Sequence, residues 1–315
     1  MKLGLDKAVW YRAAMRGSET LSFAWRGRPQ PQDALLLVSS SRSGSTWLAD
    51  WLGYALHRQQ IFEPLHPHYN PAIRRLTDFT GPSDHLYSFY LPAQASQPAW
   101  KQALAAALSG RARSVWTDDT PTAWLPRGFL VKEIRATLLL GYVMANFTPR
   151  VIYLLRHPCA VVHSRLRLGW QMEARALLRQ EALVEDLLRP WLAEIEQERD
   201  PAGAHGLWWA VENLAAQRAL AGQAHCRVFY EQLMADPTTV LQRVLDFTGG
   251  QQVELPPSWY QSMSRTTFRA EATAGLDLLL TWRQQLAPEQ QARVLAWAER
   301  LGVTGYTGSV MPQAA

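Results

Sequence analysis

Ala34-Leu-Leu-Leu-Val-Ser-Ser-Ser-Arg-Ser-Gly-Ser-Thr-Trp-Leu-Ala-Asp-Trp-Leu52 is the stretch on which the reading of the fold turns. From Ala34 to Val38 it is an apolar run with the length of one buried strand. A turn of small hydroxyl residues with a single glycine follows, and Trp47 to Leu52 are then apolar at helical spacing. A strand, a small-residue turn and a helix form an anion cradle, because the turn's N–H groups and the helix N-terminus converge on one spot. Ser39, Ser40, Ser41, Ser43, Ser45 and Thr46 add hydroxyl donors, and Arg42 adds a cation. The phosphate-loop pattern G-x-x-x-x-G-K-[ST] is met only in part. Ser39 stands where its first glycine belongs, Gly44 and Thr46 fit, and Ser45 replaces the lysine, which argues against ordinary ATP or GTP hydrolysis. A plain serine-rich turn is the alternative without a ligand, but an arginine among hydroxyls suits an anion better.

Working outward, Gln60-Ile-Phe-Glu-Pro64 is a short β-prone run that ends in a carboxylate, with Pro64 biasing Glu63 to extended geometry. Gly128 to Lys132 and Arg150 to Leu155 read as buried strands, as does Ala224 to Tyr230. The Arg150 strand runs straight into Arg156-His157-Pro158, with Pro158 suited to the first turn of a helix. Helices are expected over 99–108, after Pro158, after Pro237, and as a pair over 281–301. Two long helices are expected over 173–221, broken near Asp200 to Gly203. Strands alternating with helices predict an α/β fold, a parallel β-sheet of about five strands flanked by helices. One domain is expected over residues 1–315, with a short amphipathic helix and lead-in over 1–33 and loop-rich sequence over 63–125.

The net charge of +5 and the pI near 9.4 suit an anionic ligand. No run of Lys or Arg exists, so nucleic acid is not indicated. Cys159 and Cys226 both sit in apolar contexts and read as reduced core residues. The first residues lack the apolar core of a signal peptide, and no stretch approaches the ~20 apolar residues of a membrane span, so a cytoplasmic protein is expected. In a parallel sheet the ligand lies beyond the carboxyl ends of the strands. There this chain puts the hydroxyl turn with Arg42, then Glu63, Lys132, Arg156 and Tyr230. A Mg²⁺-dependent phosphotransferase needs a carboxylate at a strand end, whereas the clearest strand ends in Arg156. The expectation is therefore a polyanion held directly by cations, with no metal.

These residues carry a resemblance. Ser41-Arg-Ser-Gly-Ser-Thr-Trp47 resembles the 5′-phosphosulfate loop of the sulfotransferases that use 3′-phosphoadenosine 5′-phosphosulfate (PAPS). Arg156-His-Pro-Cys-Ala-Val-Val-His-Ser164 is similar to their 3′-phosphate motif, and Phe229 to Pro237 to a third segment. Ile61-Phe-Glu-Pro-Leu65 is similar to a segment of the carbohydrate sulfotransferase branch, and Trp282-Arg283 to a common terminal element. The matches keep the family's order and span most of 34–290. The chain departs from the family in three places: Arg42 stands where many cytosolic members carry lysine, His157 stands where aspartate is usual, and the Arg-Lys-Gly triplet is missing, with Arg265 or Arg269 as possible substitutes.

The resemblance implies a P-loop-like fold and transfer of a sulfuryl group from PAPS to an acceptor hydroxyl, with a carbohydrate or small molecule as acceptor and adenosine 3′,5′-bisphosphate as the product. It implies that Arg42, Ser43, Gly44, Ser45 and Thr46 hold the 5′-phosphosulfate, that Arg156 and Ser164 hold the 3′-phosphate, and that Trp47 and Tyr230 contact adenine. Arg42, with Lys132 assisting, would neutralise charge on the leaving oxygen. Glu63 is the candidate base, and His57, His66, His68, His85 and His163 are alternatives, with His66 and His68 also possible acceptor contacts. Asp118 and Asp119 read as turn or cap residues, and the loops of 63–125 would bind the acceptor. Two rivals stand beside this reading: a small-molecule kinase with a degenerate phosphate loop, and a non-catalytic nucleotide-binding protein. The sequence names neither the acceptor nor the oligomeric state.

Overall fold

The computed structural model describes residues 2–77, 88–120, 123–250 and 277–313. Helix α1 spans Lys2–Arg26, so the lead-in is a 25-residue helix rather than a short one. It reaches the body of the protein through Phe23, whose ring meets Phe129 at 5.1 Å, and through Ser22, whose hydroxyl donates to the carbonyl of Pro126.

Five strands follow: β1 (Leu35–Ser39), β2 (Gln59–Phe62), β3 (Phe129–Glu133), β4 (Arg150–Leu155) and β5 (His225–Phe229). They form one sheet in the order β2-β3-β1-β4-β5, and every pairing is parallel. The α/β architecture expected from the alternation of strands and helices is the observed one. The strand period of two residues sorts side chains between the two faces. Leu35 and Leu37 join Leu130, Ile152 and Leu154 in a core closed by α2 (Ser45–Ala55) and the helix Pro237–Thr248. Leu36 and Val38 join Val131 and Tyr153 in the opposite core. That second core takes residues from α3 (Pro71–Thr77), α4 (Pro98–Leu108), α5 (Leu140–Phe147) and the helix Pro201–Leu220. The last of these is buried along most of its length, which suits a helix that is apolar nearly all round.

The strand that leads to Glu63 does not adjoin β1, because β3 lies between them. Residues 174–197 are not one long helix but a chain of short turns: a 3₁₀ turn Ala174–Arg179, a π turn Val184–Leu188, a second 3₁₀ turn Arg189–Trp191 and the short helix Leu192–Gln197. Pro190 has no N–H to give to a helical ladder, so the apolar spacing continues while the helix does not. The second expected helix, Pro201–Leu220, is present, with Asp200 capping it by accepting from the N–H of Gly203 at 2.8 Å.

This topology fixes where a ligand fits. From β1 the chain leaves toward β2, and from β4 it leaves through α6 (Pro158–Arg167) toward β5. The connections diverge between β1 and β4, which opens a crevice at their carboxyl ends. Among the described residues no helix is long and apolar enough to cross a membrane.

Candidate active site

Strand β1 delivers the chain to Ser39, and α2 begins at Ser45. Between them Arg42 (φ 68°) and Gly44 (φ 89°) adopt left-handed backbone conformations, which turn successive N–H groups toward one side of the loop. Glycine is required at 44 for a second reason, since a Cβ there would lie 2.4 Å from the ring of Tyr230. Gly44 is also the N-cap of α2 and offers no side chain, so the first-turn N–H groups have no side-chain acceptor. Around this turn the hydroxyls of Ser39 and Ser43 and Nε of Arg156 are buried without a hydrogen-bond partner among the described residues. Leaving such a group unsatisfied costs about 1–3 kcal/mol. A cluster of donors with nothing to donate to fits an anion that brings the missing acceptor oxygens.

The loop is braced from behind. Arg165, on α6, donates from Nε to the hydroxyl of Ser41 at 3.0 Å and from Nη2 to Glu212 at 3.1 Å. Asn213 donates to the hydroxyl of Ser40 at 3.0 Å and accepts from the hydroxyl of Tyr153 at 2.8 Å. Glu212 also accepts from Ser88 at 2.9 Å. Arg165, Glu212 and Asn213 are all buried, and their hydrogen bonds to Ser40 and Ser41 hold the turn from α6 and the helix Pro201–Leu220.

Arg156 follows the last residue of β4 and donates from Nη1 to the carbonyl of Arg42 at 3.0 Å. Its guanidinium lies over the Tyr230 ring, 4.5 Å from the centroid. Arg42 donates from Nε to the hydroxyl of Ser164 at 3.0 Å. The two motifs that resembled separate phosphate sites thus meet side chain to side chain. His157 caps α6 by accepting at Nδ1 from the N–H of Cys159 at 3.2 Å, with Pro158 in the first turn as expected.

At the β2–β3 end the arrangement differs. Glu63 is buried, with φ 43° rather than the extended geometry expected before Pro64, and its carboxylate bonds Nζ of Lys132 through one oxygen. The other oxygen accepts from Nη1 of Arg135 at 3.0 Å. Burial pushes the Glu63 pKa up, but Lys132 and Arg135 together outweigh it and hold it at about 2. Lys132 is buried rather than solvated and lies over the Phe62 ring at 4.5 Å. Glu133 accepts from the N–H groups of Leu65, Ile134 and Arg135, and burial raises its pKa. His66 is tied to this end, its N–H donating to the carbonyl of Glu63 at 3.1 Å. Its ring meets those of His68, Tyr69 and Trp116 edge-on, and Tyr69 and Trp116 stack at 4.7 Å.

The remaining candidates are dispersed. Trp47 packs largely into the core beneath α2, and His57 is exposed beyond the C-terminus of that helix. His163 is buried on α6, while His85, Arg265 and Arg269 lie outside the described residues. Asp118 pairs with Arg113 at 2.7 Å and with Arg16 at 2.5 Å. Cys159 and Cys226 are unpaired by disulfide and buried, as expected. Among the described residues no three His, Cys, Asp or Glu gather as a set of metal ligands. Sequence reasoning passed over Arg135, Arg165, Glu212 and Asn213. The signal lay in the helix Pro201–Leu220, where Glu212-Asn213 interrupt an otherwise apolar run.

The family description "Sulfotransferase family" matches residues 34–254, more than half of the chain. This chain belongs to that family. The sulfotransferase domain of the Synechococcus PCC 7002 olefin synthase is 18% identical to this sulfotransferase, covers 88% of it and 97% of its own length, and superposes with a TM-score of 0.50, a likeness of fold. The sulfotransferase domain from the curacin biosynthetic pathway is 18% identical over 84% of this chain and 96% of that one, with a TM-score of 0.45. A sulfotransferase of Mycobacterium tuberculosis H37Rv is 15% identical over 91% of this chain and 87% of that one, with a TM-score of 0.40. Among curated proteins none matches significantly.

Proposed function

We propose that this sulfotransferase takes its sulfuryl group from PAPS and passes it to a hydroxyl of a carbohydrate or small-molecule acceptor. The observation that carries the reading is the set of buried, unpartnered donors, Ser39, Ser43 and Nε of Arg156, gathered around the uncapped start of α2. Ser43 to Thr46 hold the 5′-phosphosulfate through backbone N–H groups and hydroxyls, and Arg156 with Ser164 holds the 3′-phosphate. Arg42, already in contact with Ser164, adds positive charge between the two. Tyr230 contacts the adenine, and Trp47, packed largely into the core beneath α2, supports the loop instead. PAPS supplies an activated sulfuryl group, whose transfer passes through a loose transition state, so the protein contributes positioning and charge stabilisation.

At the other end Glu63 accepts the proton of the acceptor hydroxyl, and His66 is the alternative. A carboxylate held at about 2 is ionised throughout the working range but is a weak base. Lys132 is the strongest of the forces lowering it, so an anion that draws the Lys132 ammonium away raises the basicity of Glu63. Residues 1–315 then act as one domain, with 63–125 shaping the acceptor site beside His66, Tyr69 and Trp116, in a cytoplasmic enzyme that uses no metal.

Thermal unfolding tests the donor. Adenosine 3′,5′-bisphosphate without Mg²⁺ is expected to stabilise the protein by about 2.7 kcal/mol at a hundredfold excess over Kd, and ATP much less. Equal stabilisation by ATP, or a strict need for Mg²⁺, would favour a kinase and sink the PAPS reading.

A further inference from the structure

The C-terminal residues 304–308 lie over the back of the Arg156 corner. Tyr306 is buried and donates its hydroxyl to Oε2 of Glu231. The other oxygen of Glu231 accepts from the backbone N–H of His157 at 3.0 Å. Glu231 is buried, and its neighbour Tyr230 carries the ring that supports Arg156 and presses on Gly44. His157 is held from its other side as well. Its Nδ1 accepts from Cys159, so Nε2 carries the proton and donates to the carbonyl of Thr307 at 3.0 Å. Its ring stacks on Trp282 at 4.3 Å and 15°, and meets Tyr306 edge-on at 5.2 Å.

The segment is itself anchored. Arg283 donates to the carbonyl of Gly308, and Gln217 exchanges hydrogen bonds with the backbone of Thr304 at 3.1 and 3.2 Å. Gly305, at φ 109°, lets the backbone run against Phe229, where a Cβ would come within 2.8 Å of the ring. Glu231 therefore joins three elements: the segment that carries Tyr306, the end of β4 that carries Arg156, and the end of β5 that carries Tyr230. Among the described residues no hydrogen bond joins Tyr306 or Glu231 to the loop at Gly44, whereas the charge of Arg156 acts on both, so their effect on a ligand is expected to pass through Arg156 and Tyr230.

We propose that residues 304–308 are a strap that sets the nucleotide site, with Tyr306 and Glu231 as positioning residues that hold Arg156 and Tyr230 for a 3′-phosphate. This rests on the PAPS reading above. It goes beyond that reading by giving a role in ligand discrimination to a segment that touches no proposed ligand contact directly. The physical basis is that a guanidinium recognises a phosphate by a directional fork, so a small rotation of Arg156 costs more affinity than the lost Tyr306 hydrogen bond alone suggests.

The test titrates two ligands, adenosine 3′,5′-bisphosphate and adenosine 5′-phosphosulfate, against the wild type, Tyr306→Phe, Glu231→Ala and Glu231→Gln. Tyr306→Phe should weaken the bisphosphate by about three- to tenfold and leave the phosphosulfate within about twofold. Glu231→Ala should do the same or more. Glu231→Gln should restore most of the preference, because its amide oxygen still accepts from His157 and its amide N–H can donate to the Tyr306 oxygen. Circular dichroism and the melting temperature confirm folding, and if Glu231→Ala does not fold, Tyr306→Phe decides alone. A ratio of the two affinities unchanged in Tyr306→Phe, or both ligands weakened equally, overturns the strap. A wild type with no preference for the bisphosphate overturns the PAPS reading instead, and the same titration reports it before any variant is made.

Discussion

At the β2–β3 end of the sheet the ammonium of Lys132 and the guanidinium of Arg135 both bond the Glu63 carboxylate. At the β1–β4 end the guanidinium of Arg156 forms no ion pair among the described residues, and meets instead the carbonyl of Arg42 and the ring of Tyr230. The registers Val38↔Glu133 and Ser39↔Leu154 put both clusters on one edge of the sheet. Yet one is electrically closed and the other is open. A closed cluster has little left for a polyanion, and its carboxylate becomes a better base only when a ligand loosens the cations that hold it. An open one has donors waiting and is suited to binding. On the function proposed above, the two halves of the transfer, holding the donor and activating the acceptor, divide between two pairs of strands.

Breaking the closed cluster gives the largest expected effect. Glu63→Gln should lower kcat by about 10²–10⁴-fold, the usual contribution of a positioned base. Affinity for the bisphosphate should hold or tighten, because the substitution removes a negative charge from beside Lys132 and Arg135. Buried cations that lose their carboxylate also cost stability, about 3–5 kcal/mol, so kcat is measured on protein shown to be folded. The pH profile sharpens the assignment. With a pKa of about 2, Glu63 is ionised from pH 5 to 8, so kcat/KM should show no acid limb from this group in that range. The same depression stabilises the fold above the unfolded carboxylate value, and that stabilisation is lost as pH falls toward 2. A kcat within about threefold of wild type, or an acid limb near the ordinary histidine pKa, would give the base role to His66.

Arg165 tests whether a closed pair can also serve the open site. It is matched to Glu212 as Lys132 is to Glu63, but the pair lies behind the loop and grips Ser41. Arg165→Met should cost about 3–5 kcal/mol, because Glu212 is left buried without its cation. Adding Glu212→Leu should recover much of that stability, since an apolar pair of similar size is often neutral. Bisphosphate affinity should stay impaired in the double variant, with Ser41 still unlatched. Denaturant midpoints and titrations on both variants separate stability from loop positioning. If the double variant binds like wild type, the pair is only a core feature.

The β1–loop–α2 unit was legible because its signals are local: an apolar run, a hydroxyl turn and one glycine at the position where a Cβ would strike Tyr230. The parallel sheet followed from the alternation of strands and helices. Strand order did not, because nothing within Gln59–Phe62 records that Phe129–Glu133 will pair on its inner side. The site was half legible. Arg42, Arg156 and Ser164 were identified one at a time by residue type, but their mutual contact joins residues 122 and 114 apart in sequence. Arg165 and Glu212 were passed over because charges on helices ordinarily mark a solvated face, whereas here they neutralise each other in the interior. Tyr306 has no local sign, and although Glu231 lies within the Phe229–Pro237 segment, nothing there marks a partner 75 residues away.

The smallest effect expected in comparing the two ends probes the open cluster itself. Arg156→Ala should weaken the bisphosphate by roughly 1.5–3 kcal/mol, the contribution of a charge-assisted hydrogen bond, which is about 10- to 150-fold in Kd. Adenosine 5′-phosphosulfate, which lacks the 3′-phosphate, should lose much less. The side chain is partly exposed and forms no ion pair among the described residues, so its removal breaks no buried salt bridge, although it withdraws a charge that helps to keep buried Glu231 ionised. Folding stability should therefore change far less than in Arg165→Met. Some loss common to both ligands is expected, because Arg156 also holds the carbonyl of Arg42 and lies over Tyr230. Adenosine 5′-phosphosulfate also carries a sulfuryl group that the bisphosphate lacks, so adenosine 5′-monophosphate, which differs from the bisphosphate only at the 3′ position, is titrated beside them to isolate the 3′-phosphate. Isothermal titration of each ligand against each protein reads that difference directly. If the affinities for the bisphosphate and the monophosphate fall by the same factor, Arg156 acts only as a brace for the loop, and the division between an open binding end and a closed chemical end fails.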